Sequence, residues 1–316
     1  MAWRKALVGT ALLGVGTLAY SLWEARQYVV RHVEIPAPRP EAAGMRILQV
    51  ADVHLLPGDR ARVEFVRSLV ELEPGLVVST GDNLSAAAAL PELLEAYAPL
   101  LDLPGVFVFG SNDYYAPVPK SPLQYVRKAL GWQELQAEME EDRPLLPSED
   151  LREAFVAAGW LEANNATGSV QAAGRRVSVL GLDDPHIGRD ALPPVSGAVL
   201  GDDVAALRLG VVHAPYARAL SALTGAGCEL LLAGHTHGGQ ICLPGVGALV
   251  TNCDLPRQVA SGLSWWGGQD AQAVTEGSQE AGRRGAWLHV DAGIGTAPHT
   301  PIRLACRPGA TLINLV

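Results

Sequence analysis

Short apolar runs that end in polar residues recur along this chain, and they constrain its fold more than any other feature. The runs at 45–51, 76–80 and 106–109 contain β-branched residues, which indicates buried strands. Helical spacing of apolar residues at 60–71 and 86–101 separates them. This alternation predicts an α/β fold that binds ligands at the carboxyl ends of its strands. Further strands are predicted at 175–182, 207–212, 230–233, 287–290 and 311–316.

The composition indicates a globular protein that does not bind nucleic acid. Hydrophobic residues make up 48% of the chain and charged residues 18%, which is enough apolar material for a core. The formal net charge of -9 repels the phosphates of DNA and RNA. An anionic substrate remains compatible with this charge, because bound divalent cations reverse the local field.

Clusters of polar residues with metal-binding chemistry follow the predicted strands. Each cluster taken singly is an ordinary turn or cap, but five of them occur in order at strand ends, which predicts a metal site. Carboxylate, amide and imidazole groups together suit Mn, Fe, Co or Zn. The clusters are Asp52 with His54, Asp82 with Asn83, Asn112 with Asp113, His213, and His235 with His237.

The order of these motifs resembles that of the calcineurin-like metallophosphoesterases, over residues 45–316. Gly-His-Thr-His-Gly-Gly-Gln at 234–240, followed by Leu-Pro-Gly at 243–245, is similar to the membrane-associated bacterial branch of that family. That branch includes UDP-diacylglucosamine pyrophosphatases and exported, wall-associated phosphoesterases. The resemblance implies a four-layer α/β/β/α sandwich.

The resemblance also implies two divalent cations, Mn, Fe or Zn, that share Asp82 as a bridging ligand. The other ligands of the first cation would be Asp52, His54 and His237. The other ligands of the second would be Asn112, His213 and His235. In this family a hydroxide that bridges the cations attacks phosphorus, and the cations neutralise the developing charge.

The third motif departs from the family pattern of Gly-Asn-His followed by an acidic residue. Aligned without a gap, Ser111 takes the place of the ligand and Asn112 that of the acid that protonates the leaving group. Shifted by one residue, Asn112 keeps the ligand role and Asp113 stands where the acid was. We prefer the shifted alignment, because serine is a poor neutral ligand. The catalytic candidates are then Asp113 and His186, with His299 as a further possible acid.

The N-terminus carries the signal of a membrane segment. An uncharged, apolar run at 6–23 follows two basic residues and is close to the roughly 18–20 residues that span a bilayer. We therefore expect a single-pass anchor at 1–35, with the catalytic domain outside the cytoplasm. A cleaved signal peptide and a secreted enzyme are the alternative. A proline-rich spacer at 36–44 and a catalytic domain at 45–316, with an insertion at 117–150, would follow.

These features predict a metal-dependent phosphoric ester hydrolase. Its substrate would be a phosphate ester or pyrophosphate of a small molecule or a lipid-linked compound. The alternative is a catalytically weak, metal-bound scaffold that binds a protein or a lipid head group, which the departure in the third motif favours. The four cysteines form no Cys-x-x-Cys motif, and Cys242 with Cys253 is a possible disulfide if the domain lies outside the cytoplasm.

Overall fold

The structure, a computed structural model, describes most of the chain. The described residues are 2–118, 143–194, 204–243, 245–267, 271–273, 285–296 and 299–316, and in the first helix only the side chains of residue 3 and from residue 12 onwards. Most of the predicted insertion at 117–150, including a helix expected near 133–141, lies outside these residues.

Two mixed β-sheets form the centre of the molecule. The first contains six strands in the order β1-β15-β2-β3-β4-β5, and β2 to β5 run parallel. Its strands are β1 (Val29–Ile35), β2 (Arg46–Val50), β3 (Leu76–Ser79), β4 (Gly105–Phe107), β5 (Leu161–Glu162) and β15 (Gly309–Leu315). The second contains seven described strands in the order β13-β12-β14-β9-β8-β7-β6. They are β6 (Ala166–Ala172), β7 (Arg175–Leu182), β8 (Leu207–Val212), β9 (Leu230–Ala233), β12 (Gly262–Trp266), β13 (Ala271–Ala273) and β14 (Ala286–Val290), and a two-stranded ribbon, β10 (Cys242–Leu243) with β11 (Gly247–Ala248), lies apart.

The two sheets stack face to face with helices on both outer sides. Side chains from both sheets, such as Val78, Val211 and Ile313, form one buried cluster between them. A second cluster joins the first sheet to its outer helices, and a third joins the second sheet to the helix after β8. The helices are α1 (Ala2–Glu24), α2 (Arg60–Ser68), α3 (Leu90–Leu101), α4 (Ser111–Tyr114), α5 (Ser148–Ala157) and α6 (Ala217–Gly225). Helices on both faces of stacked sheets give the four-layer order that was expected.

Most predicted strands form where the apolar runs placed them. The strands β7, β8 and β9 have the predicted bounds, since continuous apolar runs mark strands that are buried on both faces. The pair Trp265 and Trp266, near the polar stretch 267–284, lies in β12 and is buried, and the Trp265 ring packs edge-on against Trp287 with centroids 5.1 Å apart.

The N-terminal 35 residues do not form a separate unit. After α1, residues 29–35 form strand β1, which pairs in parallel with β15 over seven residue pairs. The predicted spacer also belongs to the fold, because the Ala37 and Gly44 N–H groups donate to the carbonyls of Val316 and Leu315. The boundary predicted at residue 35 therefore falls inside the first sheet. Among the residues that the structure describes, no helix combines the length and apolarity needed to cross a membrane.

Candidate metal centre

The polar clusters predicted from the sequence meet at one edge of the sandwich. Strands β2, β3 and β4 of the first sheet and β8 and β9 of the second end there, so their following loops converge. These loops carry two groups of buried side chains that could each hold a metal ion. Within each group, the ligand atoms lie within 4.8 Å of one another. The first group is Asp52, His54 and His237, and the second is Asp82, His213 and His235.

Asp82 lies between the two groups. Its Oδ2 atom is 3.3 Å from Nε2 of His54, and its Oδ1 atom is 3.5 Å from Nε2 of His213. Nε2 of His54 is in turn 3.2 Å from Nε2 of His237. One carboxylate thus presents one oxygen to each group, which is the arrangement expected of a bridging ligand.

Backbone carbonyls fix the protonation of two histidines in the second group. Nδ1 of His213 lies 2.7 Å from the Thr80 carbonyl, and Nε2 of His235 lies 3.2 Å from the Asn252 carbonyl. A carbonyl only accepts, so these nitrogens carry the hydrogens of the neutral rings. The remaining nitrogens, Nε2 of His213 and Nδ1 of His235, face each other at 3.3 Å as two lone pairs. Two facing acceptors require a cation between or beside them, either a proton or a metal ion.

The third motif contacts Asp82 through Asn112. The side chain of Asn112 donates from Nδ2 to Oδ2 of Asp82 at 2.8 Å, and its backbone N–H donates to Oδ1 at 2.7 Å. Its Oδ1 atom is buried without a hydrogen-bond partner in the described structure. A buried acceptor without a donor is costly unless it binds a cation. Ser111 is buried next to it and accepts from Nδ2 of Asn112 at 3.3 Å.

Asp113 holds the loop that carries Asp82 and is not placed for catalysis. It is fully buried, and its carboxylate accepts from the N–H groups of Gly110, Asp82 and Asn83 at 2.8–2.9 Å and from Nδ2 of Asn83 at 3.1 Å. Burial and the nearby Asp82 raise the pKa of Asp113 to about 6. With four donors on its two oxygens, Asp113 fixes the loop that carries Asp82. Asp113 was predicted to be catalytic because it occupies the position of the family's acid in the shifted alignment. In the folded chain its carboxylate instead binds backbone N–H groups of Gly110, Asp82 and Asn83.

Of the two other predicted acids, His186 contacts a residue of the second group. The ring of His186 is 4.4 Å from the ring of His235 between centroids, and its Nδ1 is 3.0 Å from the hydroxyl of Tyr216. His299 is exposed and contacts the Pro117 carbonyl at 3.3 Å. The geometry therefore favours His186.

The electrostatics of the centre in the absence of metal favour binding a cation. Burial raises the pKa of Asp52 to about 8 and lowers that of His54 to about 4. Burial also lowers the pKa of His235 and His237 well below the usual value. The pKa of His213 is raised well above its usual value, against the effect of burial, because the Asp82 carboxylate favours the charged ring. In the metal-free protein the proton on His213 thus balances the negative charge of Asp82, which a bound metal ion would otherwise balance.

The ligand loops are held in a backbone conformation that residues other than glycine rarely adopt. Five of the seven predicted ligands have φ between 46° and 69°: Asp52, His54, Asp82, His235 and His237. Each such residue costs on the order of 1–3 kcal/mol and persists where the surroundings determine it. At Gly110, a Cβ atom would lie 2.4 Å from Oδ1 of Asp82 and 2.6 Å from Nε2 of His213, so glycine leaves room for the centre.

The loop after β14 and the buried Arg303 also contact the centre, and neither was predicted from the sequence. The Gly295 N–H donates to the Asp52 carbonyl at 2.6 Å, and a Cβ on Gly293 would lie 2.8 Å from the Cβ of Asp52. Two closely spaced glycines directly after the predicted strand at 287–290 were the available signal. Arg303 lies behind His237, and no pattern around it in the sequence indicates this position. All four cysteines are free, and the Cys242 thiol donates to the Gly238 carbonyl at 3.2 Å, so the possible disulfide between Cys242 and Cys253 is absent.

Sequence relatives of this chain are named as metallophosphoesterases or phosphodiesterases. No protein-family model matches the chain. It is 26% identical over 288 residues to the uncharacterized metallophosphoesterase YkuE of Bacillus subtilis (strain 168), across 86% of this chain and 79% of that protein. It is 28% identical to a transmembrane protein with metallophosphoesterase domain from Danio rerio, across 75% of this chain and 50% of the relative. It is 27% identical to the phosphodiesterase YaeI of Escherichia coli (strain K12), across 55% of each, so the chain spans about half the length of these last two. Among solved structures, a 5'-nucleotidase precursor from Thermus thermophilus has a TM-score of 0.41 and 14% identity, across 86% of this chain and 54% of that one.

Proposed function

We propose that the chain is a member of the calcineurin-like metallophosphoesterase superfamily, that it hydrolyses phosphate esters, and that it works with two divalent cations that share Asp82. The observation that carries this proposal is the position of Asp82 between two buried groups of ligands. The ring nitrogens of His213 and His235 that face each other at 3.3 Å and the unpartnered Oδ1 of Asn112 support the second cation. We assign the first cation to Asp52, His54, Asp82 and His237, and the second to Asp82, Asn112, His213 and His235.

Asp82 and Asp113 have separate roles in the proposed chemistry. Two bound cations would supply Lewis acidity, which lowers the pKa of water and neutralises charge on the phosphoryl oxygens. Asp82 keeps its carboxylate ionised, since the nearby His213 and His54 and the Asn112 amide hold its pKa well below the usual value against the effect of burial. Asp113 and its donors hold the loop of Asp82, so the bridging oxygens stay in place.

We assign the general acid to His186. Its ring lies beside His235, and the Tyr216 hydroxyl at 3.0 Å from Nδ1 orients it, so Nε2 is the atom that would donate to the oxygen of a leaving group. General acid catalysis contributes about 10²–10⁴-fold, and mostly for poor leaving groups. Replacing His186 with Gln should therefore reduce turnover of an alkyl phosphate ester far more than that of a nitrophenyl ester. Equal losses on both esters would contradict this role.

The relatives and the N-terminal helix support a proposal for the substrate class. One relative is named a phosphodiesterase, which makes a phosphodiester the first substrate to test. The side chains of α1 that the structure describes include exposed apolar residues, with Leu13 72% and Trp23 57% exposed. We propose that α1 brings the enzyme to a lipid surface, where a lipid-linked phosphate ester or pyrophosphate would be the substrate. Flotation of the full chain with phospholipid vesicles tests this, and a protein that stays at the bottom of the gradient contradicts it.

Turnover by the reconstituted protein decides between the enzyme and a metal-bound scaffold. The absence of the motif histidine supports the scaffold. The test is hydrolysis of bis(p-nitrophenyl) phosphate, p-nitrophenyl phosphate and pyrophosphate after loading with Mn²⁺, Zn²⁺ or Fe²⁺. The enzyme proposal expects turnover that disappears in Asp82→Ala and stays in Asp102→Ala, an exposed aspartate at the end of α3. Full metal occupancy without turnover on any of the three substrates would favour the scaffold.

A further inference from the structure

Arg303 is a fully buried cation that connects two ligand loops of the first metal site. Its Nη1 donates to the His237 carbonyl at 2.8 Å, and its Nη2 donates to the carbonyls of Gly293 and Gly295. Nη2 also lies 3.3 Å from Nδ1 of the His237 ring. The Gly295 N–H in turn donates to the Asp52 carbonyl. One guanidinium therefore contacts the backbone of His237 directly and is linked to that of Asp52 through Gly295.

The last turn of α1 holds the segment that carries Arg303. The Arg303 N–H donates to the Ser21 carbonyl at 3.0 Å. The Glu24 carboxylate accepts from the N–H groups of Ala305 and Cys306, each at 3.0 Å. Ala305 has a φ of 50°, which lets two successive N–H groups point at one acceptor. Residues 303–306 are thus attached to the N-terminal helix through three backbone donors.

The position of Glu24 is unfavourable without these contacts. The residue is 2% exposed and lies at the C-terminal end of α1, where the helix dipole disfavours a negative charge. The two backbone N–H donors of Ala305 and Cys306 offset that cost. A helix that served only as an exposed tether would have no reason to bury a carboxylate. The contacts of Glu24 therefore indicate a structural role.

We propose that Arg303 is a positioning residue of the first metal site and that Glu24 connects the N-terminal helix to that site. This inference rests on the proposed two-metal function and extends it to residues outside the ligand motifs. In the part of the chain that the structure describes, the Arg303 side chain hydrogen-bonds with His237, Gly293, Gly295 and Sγ of Cys306, and none of these bonds reaches the ring of His213 or His235. Loss of the Glu24 contacts should therefore weaken one site and spare the other.

The test is titration of the metal-free, full-length chain with Mn²⁺, followed by calorimetry and by electron paramagnetic resonance. Loss of a residue that orients a ligand typically costs 10–100-fold in metal affinity. For Glu24→Ala we expect one site to weaken by about 10–100-fold and the other to change by less than about twofold. The coupled signal of a Mn²⁺ pair should give way to the six-line signal of a single ion. The control is Glu64→Ala, which makes the same change at an exposed glutamate of α2 and should leave both sites intact.

Three further results decide the inference. Unchanged affinity at both sites in Glu24→Ala overturns it, and so does an equal loss at both sites with a lower melting temperature, which indicates a general structural role. Arg303→Lys keeps the charge but not the fork of donors, and it should weaken the same site as Glu24→Ala; loss at the other site contradicts the proposal. If Glu24→Ala fails to fold, Glu24→Gln keeps one acceptor oxygen and carries the same prediction. A wild-type chain that fails to bind two Mn²⁺ ions would instead overturn the proposed function itself.

Discussion

Replacing Asn112 and Ser111 one at a time determines which of them is the metal ligand. Asn112→Ala removes the unpartnered Oδ1 and the bond of 2.8 Å from Nδ2 to Asp82, and it keeps the backbone donor to Asp82. A hydrogen bond to a charged group contributes about 1.5–3 kcal/mol. With 1.4 kcal/mol for each tenfold, that loss alone is on the order of 10–100-fold in affinity at the second site, before the lost ligand is counted.

Ser111→Ala is the matched control, because the two residues are adjacent. It removes one hydrogen bond of 3.3 Å between neutral groups, which contributes about 0.5–1.5 kcal/mol. The expected loss of affinity is therefore at most about tenfold. The assay is Mn²⁺ titration of both metal-free variants, with turnover of bis(p-nitrophenyl) phosphate alongside. A larger loss in Ser111→Ala than in Asn112→Ala would refute the shifted alignment and the assignment of Oδ1 of Asn112 to the second cation.

Three further predictions follow from the geometry. The pKa of Asp52 is raised to about 8 in the metal-free protein, so below that pH a cation must displace the proton of Asp52. Metal affinity at the first site should therefore rise about tenfold per pH unit up to pH 8 and then level off, as calorimetry between pH 6 and 9 would show. A metal affinity that does not change with pH contradicts the protonated state of Asp52. Gly110→Ala should abolish metal binding at the second site without removing a ligand, because its Cβ would lie 2.4 Å from Oδ1 of Asp82, and full occupancy measured by metal analysis would contradict this; Gly225→Ala, where nothing lies within 4 Å, is the control. Deletion of residues 2–19 should leave a folded protein. Deletion of 2–35 removes β1 and the Glu24 contacts and should lower the melting temperature sharply. A protein that is equally stable after the longer deletion would contradict the role of β1 in the sheet.

Local patterns predicted the α/β strands and the meeting of the polar clusters at one sheet edge, whereas the sandwich and the assignment of ligands to two cations came from the family resemblance, and that assignment stays a prediction. Continuous apolar runs mark strands that are buried on both faces, and β7 to β9 accordingly have the predicted bounds. The ligands follow such strands directly, so the parallel order of the strands brings them to one edge. The strand at 29–35 was missed because it lies at a sheet edge with mixed burial and follows an apolar run that resembles a membrane segment.

The supports of the centre could not be predicted, because they act across large separations in sequence. Arg303 lies 66 residues from His237, and Glu24 lies 281 residues from Ala305. The role of Asp113 was assigned from an alignment, whereas its hydrogen bonds to the loop of Asp82 exist only in the folded chain. The left-handed backbone of Asp52 and His54 is likewise imposed by tertiary contacts and opposes local preference.

A crystal structure of the full chain grown with Mn²⁺ tests the central claim most directly, by anomalous scattering. The account predicts two peaks roughly 3.5–4 Å apart, one on either side of the Asp82 carboxylate. The peak farther from His54 should have Oδ1 of Asn112, Nε2 of His213 and Nδ1 of His235 among its neighbours. A single peak, or two peaks that Asp82 does not join, would contradict it.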